Sequence, residues 1–143
     1  MIQYWLKDLV AAKFPGVKVT ADYEPNVKTY ITVFYEGGGE PGRYDIDFQF
    51  PRYMVWIESD DWGKAEWMAR EIYKLLHDYP AQPVIEVEYF DKFNNLLGSE
   101  NVKLFQLEVA GDINPLGVEE GSRRYSVNFD ATITLLKEEN TNG

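Results

Sequence analysis

Pairs of carboxylates stand close together at Asp45/Asp47, Asp60/Asp61, Glu86/Glu88 and Glu119/Glu120. Residues two apart on a strand share a face. Asp45 with Asp47, or Glu86 with Glu88, therefore has the spacing to hold a divalent cation through oxygen ligands. Such a pair could also flank a glycosidic bond as acid and base. No EF-hand or other metal-ligand spacing accompanies either pair. A solvated strand face explains both alternations without a ligand, and Asp60/Asp61 stand where a helix N-cap is wanted.

The single histidine, His77, sits in "LLHDYP". As a general base it needs a nucleophile and an orienting carboxylate nearby, and no nucleophile motif surrounds it. A dipole contact at a helix C-terminus is the simpler reading. The absence of cysteine excludes disulfides, Cys-ligated metals and thiol nucleophiles. The glycine-rich "EGGGEPG" lacks the spacing of a phosphate-binding loop, and no helix follows it. A mobile loop over Gly37, Gly38, Gly39 and onward through Arg43 is the expectation.

The stretch "NPLGVEEGSRRYSVNF" (residues 114–129) raises the same question more sharply, because it joins an acidic pair to Arg123 and Arg124. Consecutive strand residues point to opposite faces, so the two arginines cannot clamp one ligand together. One is free to form an ion pair across a subunit boundary while the other rests on the sheet. The expected structure is a turn over Pro115–Gly121 leading into a core strand.

These groups are positioned by elements whose pattern is readable. In "IQYWLKDLVAAKF", Ile2, Leu6, Leu9 and Val10 recur at helical spacing, and Pro15-Gly16 ends the run. "VKVTAD" and residues 28–35 read as strands, the second rich in β-branched and aromatic residues. Tyr44, Ile46, Phe48 and Phe50 alternate with polar residues, and Pro51 marks an edge or a bulge before "RYMVWIES". A second helix places Ala65, Met68, Ala69, Ile72, Leu75 and Leu76 on one stripe, with Ser59, Asp60 or Asp61 as cap and Pro80 closing the segment. The strands "PVIEVEYF", "NVKLFQLEVA" and "RRYSVNFDATITLL" follow. In the last of these Tyr125, Val127, Phe129, Ala131, Ile133 and Leu135 share a face.

The order predicts an α+β fold, a mostly antiparallel sheet with two main amphipathic helices packed on one face. Residues 1–137 read as one domain and 138–143 as a polar tail. The 143 residues suffice for a core without staples. No apolar run reaches the roughly 20 residues of a membrane-spanning helix, and no signal peptide is visible, so synthesis in the cytoplasm is expected. The net charge of −10 argues against a protein that grips phosphates, yet suits one past which DNA slides. Aromatic residues make up 15% of the chain, more than two helices are expected to cover, which favours association.

In the order of its parts the chain resembles the tail terminator proteins of long-tailed bacteriophages, a minor capsid or tail completion family. The parts are the leading helix "IQYWLKDLVAAKFPG", the strands and loop "TYITVFYEGGGEPGRYDIDFQFPRYMVWIESDD", the helix "AEWMAREIYKLLHDYP" and the closing "NPLGVEEGSRRYSVNFDATI". The resemblance implies a homo-oligomer, a six-fold ring in the virion at the head-proximal end of the tail. That ring caps the tail tube, stops its polymerisation and offers a surface for head–tail joining. Its partners would be the major tail tube protein and a head-completion or neck protein, with DNA passing through unbound. No enzymatic activity, cofactor or metal is implied. Gly37, Gly38, Gly39, Arg43, Arg123 and Arg124 are the candidate subunit or tube contacts. Two alternatives stand beside this one. They are another neck or head-completion protein, and a small divalent-metal-dependent hydrolase or ligand-binding domain using Asp45, Asp47, Glu86 or Glu88.

The metal reading has a direct test. If these carboxylates only decorate a wet face, millimolar calcium, magnesium and manganese each leave the Tm unchanged in a thermal-shift series, whereas a rise specific to one cation would revive that alternative.

Overall fold

Leu6 and Val10 lie one helical turn apart and are fully buried, flanked by buried Ile2 and Phe14. They form the inner stripe of α1 (Gln3–Lys13), which has no side-chain cap of its own. The backbone N–H of Ile2 donates instead to the hydroxyl of Tyr53, 51 residues away, at 3.0 Å. Gly16 follows at φ +90°, the left-handed conformation that glycine adopts without penalty at a helix exit. The computed structural model describes residues 1–39 and 48–136. Arg43, Asp45, Asp47 and the polar tail lie outside these residues.

The strands are β1 (Lys18–Ala21), β2 (Tyr30–Gly39) and β3 (Phe48–Ser59), then, after α2 (Trp62–Leu76), β4 (Gln82–Phe90), β5 (Leu96–Val109), β6 (Asn114–Glu119) and β7 (Ser122–Leu136). They make one seven-stranded sheet in the order β1-β2-β3-β7-β5-β4, with β6 also on β7. β7 pairs with β3 along nearly its whole length; its other edge is shared, β6 taking residues 122–126 and β5 residues 129–136. Every pairing is antiparallel except β1 with β2. The expected α+β architecture holds, and the sheet is mixed by that one pair. So short a parallel connection is possible because β1 has only four residues, about 13 Å to be retraced. Asp22, at φ +63°, makes the reversal: its N–H donates to Val33 O and its carboxylate accepts from Tyr35 N.

Three expectations are corrected. Gly37, Gly38 and Gly39 belong to β2, not to a loop. Glu36 and Gly37 together oppose Arg52, between the pairs Tyr35↔Tyr53 and Gly38↔Pro51. That bulge absorbs Pro51, which has no N–H to give its neighbour, and Gly37 supplies the φ of +88° that the bulge needs. Asn114–Glu119 is a strand, and the turn shrinks to Glu120 and Gly121. β5 begins at Leu96, five residues earlier than the apolar alternation suggests, because it continues as half of a long hairpin with β4.

Alternation along the strands sorts the two faces. Ile31 and Val33, Tyr53, Val55 and Ile57, and Tyr125, Val127, Phe129, Ala131 and Ile133 are buried together with Met68, Ala69 and Ile72 of α2. Both helices cover this face side by side, held by the Phe14–Trp67 ring contact (5.5 Å) and the Lys13–Glu71 ion pair (3.5 Å). Asp61 caps α2, its Oδ1 accepting from Lys64 N at 3.2 Å. The opposite face presents the row Thr32–Trp56–Ser126, in which Thr32 and Ser126 are buried and Trp56 half-buried, and, beside it, Tyr30–Glu58–Arg124.

Burial pushes the Tyr53 hydroxyl well above the usual tyrosine range, so it remains a neutral partner for α1. Tyr53→Phe leaves the Ile2 N–H unpaired in the core and is expected to cost about 1–2 kcal/mol, read as a lower urea midpoint with an unchanged m-value.

Candidate functional site

Glu120 and Gly121 both have positive φ, 51° and 81°, as a two-residue type I′ hairpin requires. This turn sets Glu119 opposite Ser122 and diagonal to Arg124, and Glu119 Oε2 accepts from Arg124 Nη1 at 2.5 Å. The second Arg124 amino group donates to Leu116 O at 3.3 Å, where β6 bulges around Gly117. Trp62 Nε1 donates to Gly121 O at 2.9 Å and ties the turn to the start of α2. One member of each pair, Glu119 and Arg124, is thus engaged with the other, and Arg124 also with backbone.

Arg123 and Arg124 point to opposite faces, as strand geometry demands. Arg123 lies on the helix side, its guanidinium 5.8 Å from the Trp62 ring and 5.5 Å from Tyr125, donating from Nε to the Tyr125 hydroxyl. Arg124 lies on the open side, 5.8 Å from the Trp56 ring, with its Nε buried and without a partner among the described residues. Beside it opens a cleft of about 710 Å³ between residues 24–28 and the β6–β7 turn. Tyr30 and Trp56 form part of its lining, with five carboxylates (Glu24, Glu58, Asp60, Glu119 and Glu120) against two cations (Lys28 and Arg124). Burial, reinforced by Glu58, raises the Tyr30 hydroxyl above its ordinary range.

His77 is engaged as an acceptor: its Nδ1 takes the Val109 N–H at 3.1 Å, while Asp78 N donates to Leu107 O at 2.9 Å. Together they pin the end of α2 to the end of β5. No carboxylate orients the ring toward a nucleophile; Nε2 faces Asp78 at 3.5 Å on the exposed side. Glu86 and Glu88 share the outer side of β4, and their mutual hydrogen bond holds the Glu88 carboxyl above its usual range. Among the described residues, no three acidic or imidazole groups gather as a metal site would need.

A run of exposed apolar residues lies elsewhere. It follows the β4–β5 hairpin through Val84, Tyr89, Phe90, Phe93, Leu96 and Leu97. Phe93, 74% exposed, sits at the tip, and Leu97 is 69% exposed. The tip is tightly built: Asp91 Oδ1 accepts from Phe93 N and Asn95 N, both at 2.9 Å, and Asp91 Oδ2 accepts from Asn95 Nδ2 at 3.2 Å. These bonds, the Asn95 backbone contact foremost, hold the Asp91 carboxyl below its usual range. Farther down, the Tyr89 hydroxyl donates to Glu100, and burial with that contact pushes it up to about 12. The sequence signal for this arm is the aromatic and leucine run either side of "DKFNN", which strand alternation alone cannot distinguish from core.

No protein-family model matches the chain, and no curated protein matches it. Among solved structures, it is similar to a chain from the virion of a native gene transfer agent particle. The TM-score is 0.60 and the sequence identity 16%, over 92% of this chain and 90% of that one. At that identity the likeness is one of fold, and it runs nearly end to end.

The corner's role as a turn rather than a chemical site has a measurable consequence. A glutamate at left-handed φ carries strain of about 1 kcal/mol, so Glu120→Asn, better suited to a type I′ turn, is expected to raise the Tm. A folded variant less stable than the parent would show that the Glu120 side chain holds something in place.

Proposed function

We propose that the protein is a structural component of a phage-like particle, acting by contact and not by catalysis, and that it is the ring capping the tail tube. The observation that carries the reading is the fold likeness to a virion chain across 92% of the protein. A likeness of that extent relates whole architectures. Two features of the molecule agree with it. An apolar, well-ordered hairpin stands out from the body, and large exposed apolar patches mark interaction surfaces. Three of the residues whose types suggest chemistry hold structural contacts: His77 pins a helix end, Asp61 caps α2, and Glu119 pairs with Arg124.

In this reading each subunit joins its neighbours head to tail through two different patches, and the rotation closes into a ring. One rim stops tube growth and the other receives the neck. The net charge of −10 lets DNA move through the lumen, since like charge resists binding. The fold likeness is equally compatible with a neck or head-completion protein, and position in the particle separates the two.

Mass measurement of the purified protein, alone and mixed with tail tubes, is expected to give a closed oligomer in at least one condition. In particles imaged by electron cryo-microscopy its density is expected at the head-facing end of the tube. A protein that stays monomeric and never joins tube ends would overturn the assembly reading; density against the portal would move it to the neck.

A further inference from the structure

The sheet ends on one side in β1, of four residues, and on the other in β4, of nine. Among the described residues β4 pairs with β5 alone, so along its outer edge every second backbone N–H and C=O has no strand to meet. Pro83, which lacks an N–H, is tolerated at the start of such a strand. A long open edge is a template for another strand, above all for the same strand of a second copy.

The alternation of β4 shows what that second copy would meet. Its regular stretch, between the bulges that follow Gln82 and Tyr89, is Ile85 to Tyr89, centred on Val87. Ile85 and Val87 are buried on the core side, while Glu86 and Glu88 are exposed on the other. Two such strands paired antiparallel about Val87 would join Val87 to Val87 and Ile85 to Tyr89, which are favourable cross-strand pairs. The same register sets Glu86 against Glu88 twice, so four carboxylates meet on one face. Nothing nearby neutralises them. On β5, Asn101 and Ser99 stand opposite the two glutamates, and Lys103, next on that face, lies over the Phe105 ring at 4.7 Å. Glu100 is on the core side with Tyr89, and the tip adds Asp91 beside Lys92. Residues 82–100 thus carry four carboxylates to one ammonium. The hydrogen bond between the glutamates raises the Glu88 carboxyl, so as pH falls the pair takes up a proton before an ordinary glutamate does.

We infer that Glu86 and Glu88 guard the open edge of β4: their charge keeps it from pairing with the β4 of a second copy, and acid removes the guard. This goes beyond the assembly reading and does not rest on it, since it concerns an edge that each subunit keeps free whatever else it joins.

The double variant Glu86→Gln/Glu88→Gln removes the charge and keeps the size. Sedimentation over a concentration series, with the parent at neutral pH as baseline, is expected to show the Gln variant self-associating about tenfold more tightly. The parent is expected to approach it as pH falls through the glutamate range, at each pH where circular dichroism shows it folded. A second variant, Glu86→Lys/Glu88→Lys, shifts the net charge twice as far but again sets like charges opposite each other, so it is expected to gain nothing at either pH. In the associated Gln variant, hydrogen exchange is expected to show new protection within Ile85–Tyr89. A Gln variant no more associated than the parent, or a Lys variant that associates as well as the Gln variant, would overturn the guard. Association without added protection in β4 would overturn the edge. Because the readout is mass gained over the parent, failure here leaves the ring reading untouched, and a parent that forms no ring leaves this test intact.

Discussion

The structure depends on the pairing of β7. This strand, the longest among the described residues at 15 residues, is flanked along one edge by β3 and along the other by β6 and then β5. Its alternation places Tyr125, Val127, Phe129, Ala131 and Ile133 on the helix side, all buried. Fully burying a large apolar side chain contributes about 1.5–3 kcal/mol, so this one strand supplies a large part of the core. Because side chains alternate with period two, a slip of one residue would turn that entire set outward. Register at β7 consequently decides which face of the sheet the helices cover.

Once that register is set, other contacts follow from it. Tyr53, opposite Phe129, brings its hydroxyl under the start of α1 and replaces the cap that α1 lacks. Arg123 lands against Trp62 at the start of α2, and Arg124 lands on the open face beside Trp56. Two arginines adjacent in sequence thereby serve two unrelated surfaces. The bulge at Glu36–Gly37 lets Pro51 sit inside a central strand without breaking the pairing with β7, where the register runs uninterrupted. That is why a proline that argues for an edge is compatible with the middle of this sheet.

The division of β7's second edge between β6 and β5 also makes the molecule asymmetric along the strand direction. At one end β6 is short and ends in a tight turn that closes one side of an acidic cleft. At the other, β5 outruns β7 and carries an apolar arm. The core is satisfied by two helices on one face, and among the described residues the apolar side chains of that arm stay exposed. Its apolar residues are consequently the place where association can remove surface from water.

Much of this was legible in the chain alone. The stripe Ala65, Met68, Ala69, Ile72, Leu75 and Leu76 marked α2; all are buried except Leu75, which is partly buried against the core. The alternation in "RRYSVNFDATITLL" marked β7, and opposite pointing of Arg123 and Arg124 followed from it. Period and punctuation are local properties, so sequence determines them. The parallel β1–β2 pair, the shift of Gly37–Gly39 into a strand, and β6 in place of a wide turn depend on which backbone groups find partners across the sheet, and only the tertiary structure decided them. The same holds for function-bearing surface. Phe93, Leu96 and Leu97 have the composition of core residues, and only the length of β5 relative to β7 puts them outside. Residue type states what a side chain can bury; the assembled sheet determines whether anything remains to bury it against.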